Sequence, residues 1–269
     1  MRWPAAARTI GAVLLGIVAY AACLLAFAPA TLLDAVAARG SSGRMRIAEA
    51  RGTLWTGSGQ LEVRDATGSR GIGRQLSWHL QPQFLLRGRL VFDLQVADSA
   101  KSFPLSISRS GIEISDARLA FPAAALGLAV PGVGVIGPTG ELLIHIDRLA
   151  VAGNSAIGNM KVLWQSAGSS LTPVSPLGDY ELTVESTPSG FDTALRTLKG
   201  PLHLDGKGST RRESPQPFSV TARVDPQIQP LLTPFLRLIA VEGQGGNFEL
   251  QLASIRSAAS GGMPGSTRP

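Results

Sequence analysis

The sequence predicts a mainly β protein: an N-terminal transmembrane helix, then an elongated, curved antiparallel β-sheet domain with one or two short helices. Three observations predict it. Residues 10–28, IGAVLLGIVAYAACLLAFA, carry no charged side chain; as a helix they measure about 28 Å, close to the hydrocarbon thickness of a bilayer. From Arg44 onward, apolar side chains recur at alternate positions in short runs, the period of a half-buried strand. Turn residues bound those runs, as Ser110-Gly111 does within 102–115.

Residues 1–9 hold Arg2 and Arg8 and no acid, and the first charge after the span is Asp34. Positive charge ahead of the span and none close behind it orients residues 1–9 to the cytoplasm. A cleaved signal peptide is the competing reading, because Ala26-Phe27-Ala28 has the small-x-small pattern of a cleavage site. Pro29, just after it, hinders cleavage, and the run exceeds a usual signal core of about 7–15 residues. An uncleaved anchor over 10–28 is therefore expected. Residues 29–43 read as a short helix and linker: Leu32, Leu33 and Val36 share a helical face, and Gly40-Ser41-Ser42-Gly43 ends it.

The β domain is expected over 44–252. Leu61 and Val63 alternate with Gln60, Glu62 and Arg64; Leu90, Phe92, Leu94 and Val96 alternate with Asp93 and Gln95. Residues 102–115 read as a hairpin turning at Ser110-Gly111. Residues 116–128, richer in alanine and leucine, read as a short helix with Phe121, Ala124 and Leu128 along one face. Residues 130–140, VPGVGVIGPTG, read as a loop that is either mobile or an internal boundary. Strands follow at 141–151, 160–164, 179–185, 201–205 and 218–224. Residues 226–240 read as a helix kinked or broken by Pro230 and Pro234. Phe248, Leu250 and Leu252 mark a last strand, and residues 253–269 read as a disordered tail. Gly59-Gln60-Leu61, Gly140-Glu141-Leu142 and Gly200-Pro201-Leu202 each open a strand. That echo reads either as two related β units or as ordinary hairpin grammar.

Composition narrows the function classes. The net charge is +6, but the basic residues are scattered, with only Arg211-Arg212 adjacent, so they read as a solvated surface and nucleic acid is not an expected partner. Cys23 is the one cysteine, which excludes an intrachain disulfide and a thiolate zinc site. The three histidines, His79, His145 and His203, fall on the polar phase of strands with no second ligand at metal spacing. A nucleophile elbow, a P-loop, a dinucleotide fingerprint and HExxH are all absent from the sequence. No catalytic residue, metal site or cofactor is expected. Trp55 and Trp78 read as core or sheet-end anchors, with a partner-binding hot spot as the alternative. Gly52, Gly57 and Gly88 read as turn or bulge glycines.

One constellation is more specific. Gly52-Thr53-Leu54-Trp55-Thr56-Gly57, then Leu76-Ser77-Trp78, Pro82, Leu85-Leu86, Gly88 and Leu90, resembles protein N of the bacterial type II secretion system. That family carries a GTLW-x-G element followed by L-x-W-x-L-x-P and L-x-G-x-L. Trp164, Pro176-Leu177-Gly178-Asp179-Tyr180 and Gly200-Pro201-Leu202 are similar to its second half. The resemblance implies a non-enzymatic accessory component of the inner membrane, single-pass, with its bulk in the periplasm. It implies a scaffold or coupling role between the inner-membrane platform proteins and the outer-membrane secretin. A different class stays open beside it: a periplasmic β groove that handles lipid or another hydrophobic ligand. Partners are expected at open sheet edges or exposed apolar residues, because an unpaired edge offers N–H and C=O groups to another strand.

Overall fold

The computed structural model describes residues 13, 15–17, 19–20, 23–24, 26–64, 71–97, 99, 101–129, 133–153, 155–187, 189–210, 216–242 and 248–251. These form a 14-stranded antiparallel sheet. Its first half runs β1 (Met45–Gly52), β2 (Thr56–Arg64), β3 (Gly71–Leu80), β4 (Leu90–Val96), β5 (Phe103–Ser108), β6 (Gly111–Pro122) and β7 (Pro138–Ala152). Its second half runs β8 (Ser155–Ser169), β9 (Gly178–Thr187), β10 (Gly190–Lys199), β11 (Leu202–Ser209), β12 (Gln216–Val224), β13 (Val241–Glu242) and β14 (Phe248–Gln251). Neighbours in sequence are neighbours in the sheet throughout, except that β14 lies between β12 and β13. Among the described residues after the N-terminal stretch, three α-helices accompany it: α1 (Thr31–Gly40), α2 (Leu126–Ala129) and α3 (Gln229–Ile239).

The meander sorts the connections into two ends. Those from β1 to β2, β3 to β4, β5 to β6 and β7 to β8 share one end, here the proximal end. Those from β2 to β3, β6 to β7, β8 to β9 and β10 to β11 share the other, distal end. One face of the sheet is apolar across many strands. Trp78 pairs with Leu94 and Leu94 with Phe103; Ile146 pairs with Ala117 and Met160, and Met160 with Val184. The opposite face carries the polar phase, as where His79 pairs with Asp93 and Lys161 with Thr183.

Two buried clusters lie on the apolar face. One gathers Leu76, Trp78, Leu80, Phe92, Val96, Phe103, Ala117 and Ile146 with Ala30 from the start of α1. The other sets Leu232, Phe235 and Leu236 of α3 against Leu177, Leu202, Ala222 and Phe248. Val162, Leu182, Val184 and Leu195, on β8 to β10, are half-buried and belong to neither cluster. α3 holds together because Pro230 occupies its first turn, where a missing N–H costs nothing, although Pro234 lies inside it. Of the two expectations, kinked or broken, the break does not occur: it is one helix over 229–239.

Most of the alternating runs are strands, often longer than their apolar cores. The helix expected over 116–128 is a correction. β6 continues to Pro122, and only a 3₁₀ turn at Ala123–Ala125 and α2 are helical. Asp116 sits at φ 49°, and across it the apolar phase moves from Ile112 and Ile114 to Ala117, Leu119 and Phe121 while β6 and β7 stay in register. Those three then face Ile146, Ile144 and Leu142 of β7. β6 and β7 pair directly, so the sheet continues past 130–140. β10 was not foreseen; its Leu195 faces Leu182 on one side and Gly206 on the other.

The edges are blunter than expected. On β1, the Met45 N–H donates to Ser41 Oγ at 2.8 Å and the Ile47 N–H donates to Asp34 Oδ1 at 2.9 Å. The other edge, β13, is two residues long. Both are devices that discourage strand addition. The expected anchor over 10–28 falls partly outside the described residues, and residues 1–9 and 253–269 fall wholly outside them. Among the described residues no helix is long and apolar enough to cross a membrane.

Candidate functional site: the Gly52–Trp78 junction

The motif residues Gly52, Thr53, Leu54, Trp55 and Gly57 converge with Trp78 at the proximal end. Gly52 adopts φ 95°, and a Cβ there would lie 2.6 Å from the Thr56 carbonyl oxygen, so only glycine fits without strain. The Thr53 N–H donates to the Thr56 carbonyl at 2.9 Å, closing the turn between β1 and β2. The Thr53 hydroxyl accepts from the Trp55 and Thr56 N–H groups, both at 3.3 Å. Its carbonyl accepts the Trp78 indole N–H at 3.0 Å. Gly57 faces Trp78 across β2 and β3, and a Cβ on Gly57 would run into the Trp78 ring. Trp78 is 3% exposed, whereas Trp55 is half-buried and packs on the edge of the same cluster.

This turn also holds the chain that enters from the N-terminal apolar stretch. The Leu54 N–H donates to the Ala28 carbonyl at 2.8 Å and the Ala30 N–H donates to the Gly52 carbonyl at 3.3 Å. Pro29 bridges Thr53 in antiparallel fashion, and Ala28 and Ala30 are buried. From there α1 packs along β1. Asp34 accepts from Arg46 Nε at 2.8 Å and from the second guanidinium nitrogen at 2.7 Å. The Arg46 guanidinium holds the Asp34 carboxyl below the usual carboxylate range, aided by the Ile47 N–H and opposed by burial.

Pro82, Leu85 and Gly88 lie in the next proximal connection. The Leu80 N–H donates to the Trp55 carbonyl at 2.6 Å, so β3 ends beside the Thr53 turn. A 3₁₀ turn over Pro82–Arg87 follows, with Pro82 in its first turn and Gly88 at φ 68° ending it.

Trp164, Gly178 and Gly200 are not part of this junction. They meet at the distal end. The Trp164 indole N–H donates to the Thr139 carbonyl at 2.9 Å, and its ring stacks edge-on against Tyr180 with centroids 6.0 Å apart. The Tyr180 hydroxyl donates to the Leu202 carbonyl at 3.0 Å. Burial, with Asp179 beside it, pushes the Tyr180 phenol well above its usual value. A Cβ on Gly178 would lie 2.9 Å from that hydroxyl oxygen, and Gly200, at φ 118°, packs its backbone on Gly178. The two clusters repeat one device, an aromatic N–H or O–H on a backbone carbonyl beside a glycine. Trp78–Thr53 and Trp164–Thr139 even share a sequence separation of 25. Thr53 and Leu202 lie in the motif elements and Thr139 does not, but the acceptor role of all three was missed, because nothing in a side-chain pattern marks a carbonyl as an acceptor.

The histidines stand apart, on β3, β7 and β11. His79 pairs with Thr56 at 3.0 Å, His145 with Asp147 at 2.8 Å and His203 with Asp225 at 3.2 Å. Among the described residues no three His, Cys, Asp or Glu side chains are placed to hold a metal ion.

Fold and junctions define an antiparallel β-meander protein whose motif residues fix strand connections and the entry of the N-terminal segment. The chain belongs to the type II secretion system protein N family, which it matches over residues 43–251, and so to the type II secretion machinery. No curated protein and no solved structure matches it.

Proposed function

We propose that this protein is an accessory inner-membrane component of the type II apparatus, anchored once through 10–28 with residues 1–9 in the cytoplasm and the β domain in the periplasm. It serves as a non-enzymatic scaffold that couples the inner-membrane platform proteins to the secretin. The observation that carries this reading is the attachment of the apolar N-terminal stretch to the sheet. Described side chains in that stretch, such as Leu15, Tyr20 and Phe27, are 71%, 68% and 75% exposed, which calls for an apolar surrounding. The Ala28 carbonyl that ends the stretch is already bonded to Leu54, so a membrane anchor and the β domain would move as one body. A scaffold that sets a distance between two membranes needs that rigidity.

The test is co-purification of the intact chain after mild membrane extraction. Platform proteins or secretin should accompany it, and deleting the gene should impair export of folded periplasmic substrates. Extraction without any secretion component, together with unimpaired export, would overturn the reading. A second reading rests on Val162, Leu182, Val184 and Leu195, half-buried between the two clusters. They support a hydrophobic-ligand role along the middle of the apolar face. Native mass spectrometry of the extracted protein tests it, through a bound lipid that leaves when Leu182 is changed to Glu.

A further inference from the structure

We propose that the proximal end of the sheet is a second membrane contact, an amphipathic rim that binds the phosphate headgroups of anionic phospholipids. Four of the arginines that are dispersed in the sequence come together in the fold. Arg87 and Arg89 come from the connection of β3 to β4, and Arg109 from that of β5 to β6. The connections at this end from β1 through β8 contain no acidic residue. With Arg148 of β7 these arginines line an open depression of about 890 Å³, whose other lining groups include the hydroxyls of Ser106, Ser108 and Ser110. The one acid in the lining is Glu113, and it is occupied by Arg148 at 2.8 Å and Arg89 at 3.6 Å. Among the described residues Arg87 and Arg109 have no ionic partner, and both are exposed. Forked guanidinium donors beside hydroxyls suit phosphate oxygens.

The apolar half of the rim is as specific. Leu86, between Phe84 and Arg87 in the 3₁₀ turn, is 96% exposed. Ile112 and Val151, which face each other across β6 and β7 at the same end, are 45% and 40% exposed. Apolar side chains projecting beside arginines match the boundary between acyl chains and headgroups.

What commits this rim to lipid is where the N-terminal stretch joins. This step rests on the reading of 10–28 as a membrane span. Pro29 bridges Thr53 and Ala28 bonds Leu54, so no free linker separates the end of that stretch from the proximal end. The Pro82–Arg87 turn begins one strand away, after Leu80 bonds Trp55. A span that ends at Ala28 therefore brings the arginines and Leu86 to the bilayer surface. The surface potential of anionic lipid then adds to each exposed arginine, within about a Debye length of 8–10 Å.

The experiment uses the full chain, with Cys23→Ser, in lipid nanodiscs of phosphatidylcholine alone or mixed with phosphatidylglycerol. A spin label is placed at Leu86→Cys, and at Val135→Cys as a distal control. Collision with oxygen should exceed collision with a water-soluble nickel chelate at position 86 in the phosphatidylglycerol discs, and the order should invert at position 135. In the variant Arg87→Glu with Arg109→Glu the label at 86 should return to water, while amide exchange at the Thr53 turn stays as in the parent. A label at 86 that is equally water-exposed in both lipids would overturn the proposal. So would protection of 86–89 from amide exchange by inorganic phosphate in detergent at constant ionic strength without any lipid dependence, which would make the depression a site for free phosphate. Failure of the anchor itself reads out separately, as chains that do not stay with the discs.

Discussion

Trp78→Ala tests the junction most directly. The ring is 3% exposed, donates its indole N–H to the Thr53 carbonyl, and packs over Gly57. Removing a buried tryptophan costs about 3–5 kcal/mol, of which leaving the Thr53 carbonyl without its donor is about 1 kcal/mol. For a unit of this size that corresponds to a fall in melting temperature on the order of 6–20 °C. Trp78→Phe keeps much of the ring and loses the donor, so it should fall between the wild type and the alanine variant. Trp55→Ala, at a half-buried position, should cost less, about 1–2 kcal/mol. Urea titration followed by circular dichroism ranks the four proteins without relying on tryptophan emission. Amide exchange adds a local readout: the Leu54 N–H, bonded to Ala28, should lose protection early in Trp78→Ala. If Trp78→Ala unfolds at the wild-type midpoint but no longer binds a partner, the ring is an interface residue and the packing argument fails.

Three further outcomes are expected. Tyr180→Phe leaves the Leu202 carbonyl without its buried donor and should destabilise the distal cluster by about 1–2 kcal/mol, measured by the same titration; no change would mean that the hydroxyl bond contributes nothing. Because Asp34 is held below its ordinary 3.8 in the folded chain, its contribution is present above that value and is lost as pH falls through the lower folded value. Melting curves across that acid window should therefore be less pH-dependent in Asp34→Asn than in the wild type, and identical slopes would remove the Asp34–Arg46 pair from the account. Mass spectrometry of the membrane-derived protein should recover peptides from residues 10–28; a mature chain starting at Pro29 or Ala30 would show cleavage and end the anchor reading.

Much of the sheet was legible because alternation survives wherever one face is buried. Leu61 and Val63 or Phe92 and Leu94 needed no structure to be placed on strands. Part of what the sequence missed traces to non-glycine residues in the left-handed region. Glu49, Asp116 and Ser166 sit at φ 51°, 49° and 47°, and each falls where the strand register shifts or the apolar phase changes. At Asp116 that shift left Ala117, Leu119 and Phe121 in a stretch whose alanines and leucines also fit a helical face. β10 was missed for a different reason: its apolar positions Phe191 and Leu195 are interleaved with threonines that themselves lie on the apolar phase. The motif glycines and tryptophans were found, yet the junction they build was not. Its decisive bonds run between backbone groups of residues 28–30 and 52–54, which leave no side-chain signature.

The junction also alters how the open-edge expectation should be weighed. An exposed strand edge is a generic site for partners, but here α1 brings Asp34 and Ser41 onto the donors of β1. α1 can do so only because Ala28 and Ala30 fix its start against the Thr53 turn. The same few bonds therefore close the β1 edge and tie the N-terminal stretch to the sheet. Weakening the turn, as in Gly52→Val, where φ 95° and the Thr56 oxygen both reject a side chain, should release both at once. Amide protection at Ile47 and at Leu54 should then fall together, while the distal bond of Trp164 to Thr139 is spared. Loss at Leu54 alone, with Ile47 still protected, would mean that α1 holds the edge through Asp34 and Arg46 independently of the turn, and that edge closure and attachment are separate properties of the fold.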